Sequence, residues 1–286
     1  MSRELNYYTT GRVVQFRGNI PQIYEITNDK LVTCFYDGDA IVLSIVPLNS
    51  EGAQIVTTES RATIQLGIQY PSIWTGVDRN KLLITVYSSH QRVSLIIVVD
   101  VNTYQYNRYW GPDFQSRPIG IEGSIIYLSH RVNDQAIITG FEYLTSRNEF
   151  RYVVDNSEIY GMLGRTPNGA LLAAVLERRL PDGTLAIRIV NIYNEDVLIE
   201  IEGDVRISSV RENGVFFTQG DGDYYFTDYQ AITYRLNFVD DGLAVSGQRK
   251  RIVGSSESGD NIWVGPIVPF DGETVINYKL SLSQNS

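Results

Sequence analysis

Residues 72–110, SIWTGVDRNKLLITVYSSHQRVSLIIVVDVNTYQYNRYW, divide into four short runs of strand-forming residues separated by tight polar turns. The runs are 72–77, 82–87, 92–100 and 104–110, rich in Val, Ile, Tyr and Thr, which suit a pleated and largely buried sheet. Asp78-Arg79-Asn80 between the first two carries residue types that favour a hairpin. The same order recurs in both directions along the chain. Its clearest copies are the second runs, which begin at Leu31, Leu82, Ile125, Leu171, Val215 and Val275. They are spaced at intervals of roughly 40 to 60 residues, the length of a four-stranded β unit with variable loops.

Worked outward, the pattern predicts repeats over about 21–58, 72–110, 117–154, 159–201, 205–253 and 261–282. Within the first, 53–58 is expected to be the fourth strand; within the fifth, 224–237 is the third and the fourth falls in 243–253. The last repeat has only 261–268 and 275–282, while the chain begins with two spare strands, 5–9 and 12–16. Pairing the spare strands with the deficient repeat leaves no open sheet edge. This organisation resembles a six-bladed β-propeller of four-stranded blades whose last blade is closed by the N-terminal strands. The resemblance is to the architecture alone, since WD dipeptides, kelch diglycines and sialidase-type Asp boxes do not stand at the expected places. No linker, low-complexity tract or shift of composition interrupts the chain, so 1–286 is expected to be one all-β domain.

Composition narrows the function. A net charge of −9 and a pI near 4.8 argue against general nucleic-acid binding. The N-terminus lacks the apolar stretch of a secretory signal, and no run is long enough to span a bilayer as a helix, so a cytoplasmic or virion location is expected. The single cysteine, Cys34, lies in an apolar strand and reads as a buried thiol. Lys stands only at 30, 81, 250 and 279, the remaining basic residues being Arg, and Tyr is abundant, which is compatible with a thermophilic source.

Candidate site residues gather on the loops between second and third strands. Asp-Gly-Asp occurs at 37–39 and 221–223, and Asp37, Asp39, Asp221 and Asp223 offer hard oxygen ligands to Ca²⁺; as Asp-Gly turns they equally close hairpins without a metal. His90 and His130, the only histidines, fall on adjacent repeats and could serve as ligands or bases. Arg131, with Arg92 and Arg178-Arg179, offers forks to a carboxylate or phosphate. Tyr109 and Trp110 close an aromatic run on a predicted outermost strand, where such residues anchor interfaces. No nucleophile elbow, P-loop, dinucleotide fingerprint or zinc spacing is present. The sequence therefore points to a non-enzymatic protein-binding or assembly module without a cofactor, part of a cellular complex or a virus-encoded structural protein. The rivals are a Ca²⁺-dependent propeller hydrolase or lactonase using the loop Asp and His residues, and a lectin using Trp and Tyr.

Overall fold

The structure is a computed structural model that describes residues 3–18, 21–27, 29–47, 53–56, 62–69, 71–112, 116–155, 157–166, 168–178, 183–220, 222–239, 250–266 and 274–280. Strands dominate it, and no helix among these residues is long and apolar enough to cross a membrane. Four antiparallel four-stranded sheets follow one another. The first holds β2 (Ile23–Ile26), β3 (Lys30–Asp37), β4 (Ala40–Pro47) and β6 (Ala62–Gln65). The second holds β7 (Ser72–Asp78), β8 (Lys81–Ser88), β9 (Val93–Asp100) and β10 (Tyr106–Trp110). The third holds β11 (Arg117–Glu122), β12 (Ile125–Val132), β13 (Gln135–Glu142) and β14 (Arg147–Asp155). The fourth holds β15 (Ser157–Arg165), β16 (Leu171–Arg178), β17 (Leu185–Asn191) and β18 (Val197–Glu202).

The remaining strands form one nine-stranded sheet. It contains the meander β19 (Val205–Arg211), β20 (Gly214–Gln219), β21 (Asp223–Asp228), β22 (Thr233–Val239), and a second meander β23 (Lys250–Ser255), β24 (Asn261–Pro266), β25 (Thr274–Leu280). Strand β1 (Arg3–Phe16) lies between β22 and β25 and joins the two. Its first half runs parallel to β22, its two halves pair antiparallel with β25, and its end runs parallel to β5 (Ala53–Val56). Where six separate blades were expected, there are four separate sheets and one doubled sheet.

Each sheet is apolar on both faces, which is why the second strands read as continuous hydrophobic runs. In β8, alternation sends Leu82, Ile84 and Val86 toward Leu43 and Ile41 of the first sheet, and Leu83 toward Ile126 and Leu128 of the third. Further clusters join the third sheet to the fourth through Tyr127 and Ala173, and the fourth to β19 and β20 through Ile189 and Phe217. The two meanders of the doubled sheet meet over Tyr7, Phe216, Ile262 and Tyr278. Phe16, Trp263 and Val275 then pack on Tyr24 and Leu31, which returns the chain of contacts to the first sheet. The arrangement is a β-propeller, with the first strand of each meander innermost.

Several strands differ from expectation, each for a local reason. β1 is one strand rather than two: Thr9-Thr10-Gly11-Arg12 reads as a turn but is a bulge in the β1–β25 ladder, with Gly11 at φ +79°. Residues 53–58 do not supply the first sheet's fourth strand. Ala53–Val56 goes instead to β1, and Ala62–Gln65 pairs with β4. The span 224–237 contains two strands, because Ala231 at φ +63° turns the chain between β21 and β22. Of the expected fourth strand in 243–253, residues 243–249 lie outside the described residues, and Lys250–Ser255 belongs to the next meander. Val275 lies on its third strand, and the N-terminus contributes one strand to it rather than two.

Candidate functional site

The inner strands β2, β7, β11, β15, β19 and β23 surround a channel of about 670 Å³. Register assigns their residues to levels. Glu25, Gly76, Gly120, Leu163, Ser209 and Gly254 each pair with the third residue of the following strand, Val32, Leu83, Tyr127, Ala173, Phe216 and Trp263. Small residues at this level let neighbouring strands approach; a Cβ on Gly76 would meet the Trp74 ring and Ile121, and one on Gly254 would touch Ile26. Four of the inner strands carry a register shift just before this level, in β11, β15, β19 and β23. Such bulges bend a strand and re-aim the side chains that follow.

Toward the turn into the second strand, Asp78, Glu122, Arg165 and Arg211 pair with the first residue of the next strand and line the channel at one depth. Glu122 and Arg165 form an ion pair, and the Asp78 carboxylate accepts the Gly123 N–H at 2.7 Å. Arg211 donates from Nε to the Ser255 hydroxyl at 2.9 Å, and the Ser209 and Ser255 hydroxyls lie 3.2 Å apart. On β2, Glu25 accepts the hydroxyl of Thr75 on the neighbouring strand β7 at 2.9 Å. Burial pushes the Glu25 carboxyl up to about 7, against the opposing effects of the Thr75 hydrogen bond and the positive charge of Arg211. Burial also raises the Glu257 carboxyl and lowers Arg211, which the charges of Glu25 and Glu257 partly hold up.

A second concavity, about 320 Å³, lies on the outer side between the first and second sheets. Leu66, Ile68, Val93 and Leu95 line it, with Arg108, Tyr109 and Trp110 of β10 at its edge. Trp110 is 73% exposed, the largest exposure among the big apolar side chains described. Tyr109 is fixed from behind by Tyr143, ring centroids 4.9 Å apart. Arg108 donates to the Gln65 carbonyl and lies over the Tyr106 ring.

The residues chosen from the loops do not converge. Asp37 and Asp39 are exposed at the β3–β4 hairpin, where Gly38 takes φ +61° and Asp37 pairs with Ala40, as a two-residue turn requires. Asp221 lies outside the described residues, and Asp223 is exposed and bridged to Arg235 at 3.1 Å. His90 is exposed in the β8–β9 turn. His130 and Arg131 are on β12 rather than in a loop, because the ladder continues to Val132 opposite Gln135 and Asn133, at φ +55°, makes the turn. The Arg131 side chain donates to the Asn133 carbonyl at 3.3 Å. Among the described residues no group of three or more His, Cys, Asp or Glu is placed to hold a metal ion. Trp74 lines the channel, while Trp263 is buried on a second strand. Sequence reading missed Glu25, Arg165, Arg211 and Glu257. Aligning the repeats by register would have exposed Glu25, a carboxylate at a level otherwise small or apolar.

No protein-family model matches the chain, and no curated protein matches it. Among solved structures, the β-propeller domain of the Trilobed protease from Pyrococcus furiosus, described as having an open velcro topology, is 9% identical with a TM-score of 0.50, over 89% of this chain and 83% of that one. The hydrazine synthase of Kuenenia stuttgartiensis is 13% identical with a TM-score of 0.49, over 86% of this chain and 73% of that one. The C-terminal WD40 domain of Sif2 is 8% identical with a TM-score of 0.46, over 98% and 99%. At such identities the likeness is one of fold, and the fold of this chain is a β-propeller.

Proposed function

We propose that residues 1–286 form a single six-bladed propeller and that it acts as a non-enzymatic protein-binding module, receiving an extended segment of a partner in the outer cleft beside Trp110. The doubled sheet counts as two blades in this reading, with β1 as the fourth strand of the last one. Support for the count comes from the apolar clusters that pass from sheet to sheet and back to the first.

The observation that carries the functional reading is Trp110 itself, 73% exposed next to an apolar cleft. A large rigid side chain held in water beside an apolar recess is the composition of an interface anchor. Strand β10 is also the last of its sheet, so one edge of its backbone is unpaired among the described residues and a partner strand can add to it.

Panning a displayed peptide library on the immobilised protein tests this. Enriched peptides are expected to carry an apolar or aromatic residue and to lose about 30-fold or more in affinity on Trp110→Ala, the effect of removing an anchor worth about 2 kcal/mol. Peptides that bind Trp110→Ala as well as the parent protein, or no enrichment at all, would refute the reading.

A further inference from the structure

We infer that the axial channel is a second site, for a small zwitterion of the α-amino acid class, with its carboxylate on the guanidinium of Arg211 and its ammonium on Glu25. The inference rests on two opposite charges that face one cavity without pairing. Arg211 lines the channel, and its only side-chain hydrogen bond among the described residues is from Nε to Ser255. Neither terminal nitrogen meets a described acceptor, and no described carboxylate stands within ion-pair distance, although Glu25 and Glu257 both act on it through space. Its fork is thus presented to the cavity, and a guanidinium fork matches a carboxylate with two parallel hydrogen bonds.

Glu25 provides the opposite pole. It occupies a level where β7, β11 and β23 place glycine and β19 places serine. One of its oxygens accepts the Thr75 hydroxyl, and the other has no described hydrogen-bond partner. Taking a carboxylate out of bulk water at this level is costly unless something completes its shell. A simple anion would satisfy Arg211 and be repelled by Glu25 and Glu257; a simple cation would satisfy the acids and leave the guanidinium uncompensated. A ligand carrying both charges compensates both. The channel volume, about 670 Å³, is within the range of small-molecule sites and leaves room for a side chain against Trp74.

The test is calorimetric titration and thermal shift of the intact protein with each of the twenty common amino acids at millimolar concentration, alongside acetate and methylamine. At least one amino acid is expected to bind saturably at one per chain and to raise the melting temperature, while acetate and methylamine do neither. Arg211→Lys, which keeps the charge and loses the fork, is expected to weaken that binding at least 10-fold, and Glu25→Gln to do the same. Absence of binding by every amino acid overturns the proposal. Equal binding of acetate shows an anion site only, and equal binding of methylamine a cation site only; either also overturns it. The controls on the parent protein decide the matter even where a variant fails to fold.

Discussion

Gly164→Ala adds one methyl group where the inner strand β15 passes close to Val210 of β19. A Cβ there would lie 2.4 Å from the Val210 carbonyl oxygen, 2.6 Å from Val210 Cγ1 and 2.8 Å from the Val210 carbonyl carbon. Gly164 has no positive φ, so the backbone itself accepts alanine, and the stiffer unfolded chain would on its own stabilise the variant by about 0.4–1 kcal/mol. Against this, a backbone carbonyl cannot rotate away as a side-chain tip can. Strands β15 and β19 must separate by roughly an ångström to restore ordinary contact. Overpacking of this kind costs about 1–3 kcal/mol, and the rigid neighbour places it in the upper half of that range. The net expectation is a loss of about 2 kcal/mol. With an m-value of about 3 kcal/mol/M, the urea midpoint would fall by roughly 0.7 M. Unfolding is followed by tryptophan fluorescence and circular dichroism together, since coincident curves are needed for the comparison. Gly254→Ala is the control: its Cβ meets Ile26 Cγ1 at 3.3 Å and Cδ1 at 3.4 Å, both adjustable, so its midpoint should stay within about 0.3 M of the parent. A Gly164→Ala midpoint equal to or above the parent would refute the packing of β15 on β19.

Glu25 sets a pH dependence. Its carboxyl is raised from 4.5 to about 7 on folding, so between those values the folded state holds more proton than the unfolded one, and stability falls as pH rises. The cost is absent below about pH 4.5 and complete above about pH 7, up to about 3 kcal/mol, with Arg211 the charged group acting on this carboxyl. Glu25→Gln keeps an acceptor for Thr75 and should flatten that slope and stabilise the protein at pH 8; an unchanged slope would place the carboxylate in water. Tyr7→Phe removes the hydrogen bond from the buried Tyr7 hydroxyl to the Gly259 carbonyl, 2.7 Å, which ties β1 to the β23–β24 turn. It should cost about 1–2 kcal/mol in the same urea experiment, and no loss would mean that β1 is not docked there.

Much of the fold was legible because each sheet is covered on both faces. The runs beginning near Leu31, Leu82, Ile125, Leu171 and Val215 are second strands, as their period indicates. The period failed at the end of the chain, where the second and third strands, Asn261–Pro266 and Thr274–Leu280, are both apolar and composition alone does not order them. Gly11 misled for a related reason: a glycine at positive φ serves a bulge as well as a turn. The channel was harder to read. Asp78 and Glu122 look like turn residues because they are next to turns, and so does Arg211, which precedes Glu212-Asn213-Gly214. Only the cross-strand register puts these groups on one level and sets Glu25 apart from Gly76, Gly120 and Gly254. Trp110, by contrast, was visible as the end of an aromatic run, though its exposure depends on how the first two sheets pack.

Trp110 also offers the most direct measurement. Of the three tryptophans it is the exposed one, Trp74 facing the channel and Trp263 being 1% exposed, so Trp110→Phe isolates its emission by difference. Its exposure predicts a red-shifted component quenched readily by iodide. Titration with a peptide enriched on the parent protein should shift that component to the blue and protect it from iodide, saturating at one peptide per chain. Binding that leaves the Trp110 emission and its quenching unchanged would contradict the account.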